Sequence, residues 1–352
     1  MRRNICSATA ALHLVDRPSR VVTKRKAARP LAPETRFVAR LREALSRFSD
    51  GVHTLDAPAT AAEVAAAERR LGVSLHATVK ELYAFADGLW LFDEVVRVHR
   101  LAELTMSPRQ RVVCAKSDGV SLTCDVDGRI YEEDEDGDTI LSGLSLEDEL
   151  LVRLARESLL IDAEGEWKDV FGLDGELLPA VRRRRNEAAR KRAPHAARWL
   201  IEAAELSLEL DEDQAAAESL LAEAVAKDPG AAPAHELLGL LLIAHGEVVQ
   251  AADALALAAT GSGVARRADR ASIAAEAAER AGKIEARVRL AAMARAAEPG
   301  IVARLAREAE TALDSNRVQD ADRLTAILGA IADVSDELPT RLRIRKRLKT
   351  LA

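Results

Sequence analysis

All ten Phe, Tyr and Trp residues of this 352-residue chain lie at or before Trp199, and the segment beyond that position is rich in alanine. Such a segment has no large aromatic side chains with which to fill a broad core. Its backbones must approach one another closely, which restricts it to small-residue helix packing. Charge shifts at the same place. Residues 1–33 hold eight Lys or Arg against one acid, whereas residues 34–179 hold 16 against 30, a balance of −14. Residues 180–195 then carry seven bases and one glutamate. The two shifts together predict a basic tail (1–33), an α+β domain (34–179), a basic linker helix (180–195), a helical array (196–340) and a basic end (341–352).

The α+β reading comes from period. Phe37, Leu41, Leu45 and Phe48 fall at helical spacing before Asp50-Gly51. Thr60-Ala-Ala-Glu63 is a capping box opening a helix that stops at Gly72, and a third helix carries Val79, Leu82 and Tyr83 up to Asp87-Gly88. The period then drops to two. Strands are expected at Val96 and Val98, Arg111–Lys116, Val120–Val126, Gly128–Glu132 and Thr139–Leu141, with a hairpin turn at Asp127-Gly128. Ser145 caps a closing helix through Leu150, Leu151 and Leu154.

A 34-residue comb fits the array. A first tooth at Arg198 puts Ala217, Leu221, Ala224 and Pro229 at packing and stopping positions. A shift of 34 gives Leu238, Gly239, Gly246, Ala251, Leu255 and Ala258. Pro194, Pro229 and Pro299 sit one and then two periods apart, so three to four stacked helix pairs are expected.

These residues carry two resemblances. Glu63-x4-Glu68-x2-Leu71-Gly-Val-Ser-Leu75, then Glu81-Leu-Tyr-Ala-Phe-Ala-Asp-Gly88 and the Asp125-Val-Asp-Gly128 turn, resemble the SUKH superfamily of cell-wall-assembly regulator and bacterial immunity-protein domains. His76 stands where that family usually has proline. The array resembles tetratricopeptide repeats, with leucine or alanine at positions that are usually aromatic. The resemblances imply an α+β SUKH-like domain with an antiparallel sheet, followed by an all-α tetratricopeptide-like solenoid. They imply non-catalytic protein binding, with a basic, nuclease-like toxin or effector as partner. The −14 balance agrees, because an acidic surface speeds encounter with a cation. The alternative is a scaffold or regulatory adaptor whose repeats recognise the partner.

Two clusters are candidate contact residues. The acidic stretch Glu132, Glu133, Asp134 and Asp136 reads as a charged hairpin tip facing a partner, since a calcium loop would require a bidentate glutamate where Gly143 stands. Tyr83, Asp87 and Trp90 mark an aromatic face at a helix end, offering binding or core. Trp167 is expected to anchor the segment joining the two parts. Arg182–Arg185 with Arg190–Arg192 reads as a solvated linker helix, with docking on the acidic domain before it as an option, and no aromatic is interleaved for base stacking, so nucleic acid is not the expected partner. The histidines show no metal spacing, and no phosphate loop or nucleophile elbow is present; neither cofactor nor catalysis is expected. Cys6, Cys114 and Cys124 form no C-x-x-C pair and read as core residues of a reducing compartment. No apolar run approaches the roughly 20 residues that cross a bilayer, and His13 and Asp16 interrupt the only leader-like patch. A cytoplasmic location with no membrane partner is the expectation.

Overall fold

The computed structural model describes residues 35–92, 95–117 and 119–332, with Ile344 and Leu348. The expected tails at 1–33 and 341–352 otherwise lie outside the described residues. From Thr35 onward the chain forms one compact unit.

Helices α1 (Arg36–Leu45), α2 (Ala61–Leu71) and α3 (Ala77–Phe85) come first, with the short strand β1 (His53–Leu55) between α1 and α2. The Thr60 box forms as read: Glu63 Oε2 accepts the Thr60 N–H at 2.7 Å, and the Glu63 N–H reaches Thr60 Oγ1 at 3.3 Å. Gly72 ends α2 in the left-handed conformation. Strands β2 (Leu89–Leu91), β3 (Val96–Val98), β4 (Thr105–Met106), β5 (Val112–Ser117), β6 (Val120–Cys124), β7 (Ile130–Glu133) and β8 (Thr139–Gly143) follow, then α4 (Leu146–Glu157). All pairings are antiparallel, in the order β1-β2-β3-β5-β6-β7-β8 with β4 against β5. Sequence reading located β3, β5, β6, β7 and β8 and missed β1, β2 and β4; β3 was legible because Val96 and Val98 alternate with charged residues, whereas the apolar run Leu89–Leu91 shows no alternation.

One face of this sheet buries Leu89, Leu91, Val96, Val98, Leu122 and Ile130 against Leu41, Leu82, Tyr83, Leu146 and Leu150. The Asp125–Gly128 turn admits only glycine at its end. Gly128 has φ 84°, and the His76 ring occupies the space a Cβ would take.

After α5 (Pro179–Arg192) the residues described up to 332 form eight helices in four pairs: α6 (Ala197–Leu210) with α7 (Gln214–Lys227), α8 (Ala232–Ala244) with α9 (Val248–Gly261), α10 (Val264–Arg280) with α11 (Ile284–Ala297), and α12 (Ile301–Asp314) with α13 (Val318–Ile331). Helix pairs occur in the number expected, and the basis of their spacing is local. Each pair turns through a three-residue link whose middle residue is left-handed: Glu212, Gly246, Gly282 and Asn316, spaced by 34, 36 and 34 residues. Glycine and asparagine suit that conformation. Within the pairs, alanines fill the buried positions, and at Gly239 an added Cβ would lie 2.6 Å from Leu255 Cγ, so α8 and α9 meet backbone to side chain.

The sheet and the array share a charged, buried seam. Glu132 of β7 is 7% exposed, and its two oxygens are divided between Arg153 of α4 and Arg198 of α6. Trp199, 1% exposed, lies beneath the guanidinium groups of Arg153, Arg156 and Arg198 at 4.5 to 5.5 Å. Arg156 binds Glu202 with both terminal nitrogens, at 2.7 and 3.1 Å. The basic helix α5 contributes Arg185, which pairs with Glu157 at 2.6 Å, but Arg182 and Arg183 pair with Glu209 and Asp211 at the end of α6. The helix therefore docks on α4 of the acidic part, the option its sequence left open, with Ala189 against Val152, and its Arg182 and Arg183 reach across to the first repeat helix as well.

Candidate protein-docking surface

The acidic hairpin is not an exposed tip. Between β7 and β8 the chain turns through Asp134–Asp138, where Asp134 Oδ1 accepts the Asp138 N–H at 2.8 Å. The turn then inserts against the second and third repeat pairs. Asp138, 2% exposed, binds Arg270 Nη1 at 2.8 Å and accepts the Gly263 N–H at 2.8 Å. Asp136 pairs with Arg266 at 2.5 Å, and Arg109 donates to the carbonyls of Gly137 and Gly261. Burial pushes the Asp134 carboxyl upward. Glu133 is half-buried; Glu135 alone of this run is exposed. Burial by itself would raise the Glu132 carboxyl, but Arg198 and Arg153 outweigh it and hold it below the usual range. Of the seven candidate contact residues, Glu132 and Asp136 are thus taken up by cations of other elements, Asp134 braces the turn between them, and Glu133 is half-buried. A run of acids reads as solvated surface because its cationic partners lie 21 to 132 residues away.

The aromatic candidates divide. Tyr83 is wholly buried and its hydroxyl donates to the His99 carbonyl at 2.7 Å. Asp87 Oδ1 accepts the Leu101 N–H at 2.8 Å, starting the short 3₁₀ turn Leu101–Glu103. Trp90 is half-buried, with Arg97 and Arg100 stacked on it at 5.7 and 5.2 Å and Arg100 paired with Asp56. These residues hold the core and its rim together.

The residues that sequence reasoning passed over lie in the segment between α4 and α5. Residues 161–178 form two miniature hairpins, bridged at Ile161 with Trp167 and at Phe171 with Leu177. Each is closed by an aspartate turn: Asp162 Oδ1 accepts the Glu164 and Glu166 N–H groups, and Asp174 Oδ1 accepts the Glu176 N–H. Ile161 and Val170 are buried and pin this arm to the core. Its outer surface is apolar and acidic together. Trp167 is 51% exposed, Phe171 39%, and Leu173 is fully exposed, with the two rings edge to face at 5.6 Å. Trp167 is therefore no anchor between the two parts. Around these side chains stand five exposed carboxylates, Glu164, Glu166, Asp169, Asp174 and Glu176, none in an ion pair among the described residues. The one base in the arm, Lys168, is turned back to the Ser158 carbonyl at 2.6 Å. Asp174-Gly175, a hairpin signal flanked by Phe171 and Leu177, was the sequence clue.

Cys114 and Cys124 are buried, and burial raises the Cys124 thiol to about 12, far from a reactive thiolate. Among the described residues no group of three or more His, Cys, Asp and Glu is placed to hold a metal ion, and no helix is long and apolar enough to cross a membrane. A scan against protein-family models and a search of curated proteins each give no match to this chain.

Proposed function

We propose that this chain is a non-catalytic, cytoplasmic protein-binding protein of the immunity type, in which a SUKH-like α+β part binds and blocks a cationic toxin or effector. The observation that carries the reading is the arm at 161–178, where three exposed apolar side chains stand among five unpaired carboxylates. Isolated apolar residues on a surface are ordinary, but an aromatic pair ringed by like charge has the composition of a binding hot spot. The carboxylates steer a basic partner and the rings supply the desolvated contact. The repeats, which we read as tetratricopeptide-like on the strength of their four matching links, brace this part through the seam.

The test uses the full chain as bait in a lysate of the source cell, beside the variants Trp167→Ala/Phe171→Ala and Glu164→Gln/Glu166→Gln. The expected result is capture of a basic protein that salt releases, that both variants lose, and whose toxic activity the wild-type chain suppresses. Capture unaffected by either variant would sink the reading.

One observation favours the scaffold alternative. Val249 on α9 and Ile284 and Val288 on α11 are more than half exposed on the array. In that case Ile284→Asp/Val288→Asp abolishes capture and the arm variants do not.

A further inference from the structure

A groove of about 580 Å³ runs between α1, α4 and α5. Its floor is apolar, formed by Phe48, Leu151 and Leu154, and its rim is net basic, with Arg40, Arg47, Lys191 and Arg192 against the single acid Glu43. Arg40 is spoken for by Glu147 at 2.6 Å, and Arg47 is only loosely held by Glu43 at 3.5 Å. Lys191 and Arg192 are exposed and form no ion pair among the described residues. Cations along one trough repel one another, and Phe48 is left partly wet although Leu151 and Leu154 beneath it are buried, so an acidic occupant with an apolar face would relieve both.

The arm at 161–178 has that composition. It presents Trp167, Phe171 and Leu173 for the trough and five unpaired carboxylates for the rim. It cannot turn into its own groove, because Ile161 and Val170 are buried at its base and the Ser49 N–H holds the Ala163 carbonyl at 2.7 Å. Arm and groove nevertheless share an edge: Ser158, whose carbonyl binds Lys168, lines the groove, as does Phe48, one residue before Ser49. Two complementary patches side by side on one surface are what a twofold dimer requires, since one axis then satisfies both arms and both grooves.

We propose that two copies of the chain pair head to head, the acidic aromatic arm of each seated in the basic groove of the other. The dimer is the partner-free state, and a cationic protein that takes the arm must displace the second copy. The displacement rests on the proposed function, whereas the pairing itself uses only the arm and the groove and stands or falls separately from it.

The test is sedimentation velocity on the full chain across a hundredfold range of concentration, at low and high salt. The expected result is a monomer of 38.0 kDa passing to twice that mass, with the dimer weakening about tenfold or more when salt shortens the Debye length from about 10 Å to about 3 Å. Lys191→Glu/Arg192→Glu and Glu166→Lys/Glu176→Lys change only exposed side chains, so circular dichroism should stay that of the wild type. Each alone should be monomeric, and an equimolar mixture should restore the dimer, because the reversed groove then faces the reversed arm. A wild-type chain that stays monomeric throughout would overturn the proposal. So would a dimer indifferent to both reversals, or a mixture that fails to re-form one.

Discussion

Glu132 on β7 and Arg198 on α6 form an ion pair at 2.7 Å across 66 residues of sequence, joining the sheet to the first repeat helix inside the protein. The other Glu132 oxygen is held by Arg153, which also binds Glu149 at 2.7 Å and Ser117 at 3.0 Å. Removing Glu132 takes one carboxylate from the buried Arg153, leaving it Glu149, and takes the paired carboxylate from Arg198. Glu132→Ala should therefore cost about 3–5 kcal/mol in urea unfolding. A loss under about 1 kcal/mol, the range of an exposed pair, would show that water reaches the seam.

The hairpin seat predicts a steric effect at a single atom. At Gly263 an added Cβ would run into the Asp136 carbonyl and the Gly137 backbone, neither of which can swing aside as a side chain can. Gly263→Ala should displace the turn, loosen Asp138 from Arg270, and lower the melting temperature by several degrees. A melting temperature within a degree of wild type would mean that the hairpin is not clamped there.

The four array links make opposite predictions at equivalent places. Glu212 occupies the left-handed position that Gly246 and Gly282 occupy elsewhere, at a cost of about 1–2 kcal/mol for a residue with a side chain. Glu212→Gly should raise stability or leave it unchanged, and Gly246→Val should lower it. Equal effects of the same sign would rule out backbone strain as the reason for the pattern.

Acid should unfold the protein in two stages. Burial lowers His53 from 6.5 to about 4, so in that window the unfolded chain binds a proton that the folded chain refuses, and stability falls as pH drops. His99, lowered chiefly by burial, acts in the same direction. At Glu202 burial is opposed and outweighed by Arg156 and Arg198, which bring the carboxyl from 4.5 to about 2. Its stabilisation is complete above pH 4.5 and is lost as pH falls toward 2; Glu132 follows the same sign. Melting temperatures from pH 8 to 3 should show both declines, and His53→Gln should shrink the first alone. An unchanged first decline in that variant would remove His53 from the account.

The arm should be dispensable to the fold. Trp167→Ala and Phe171→Ala delete side chains that are already about half or more than a third wet, so unfolding free energy should move by about 0.5–1 kcal/mol at most. Tyr83→Ala, by contrast, empties a fully buried site and should cost about 3–5 kcal/mol. Comparable losses at all three positions would place the arm within the core.

What the sequence by itself determined is whatever a few neighbouring residues can settle. The Thr60–Glu63 box, the Gly72 stop, the Asp127-Gly128 turn and the Ser145 cap were legible because each satisfies backbone groups within four residues. The 34-residue period was legible because alanine and glycine are the residues that permit helices to touch. Tertiary structure decided where the acids went. Glu132 and Asp138 look like solvated surface until Arg153, Arg198 and Arg270, brought from other elements, compensate their burial. The carboxylates at 164–176 met no such partners and stayed in water beside Trp167 and Phe171. A local pattern cannot separate those two outcomes, because the sign of a buried charge's free energy depends on a partner that only the folded chain supplies.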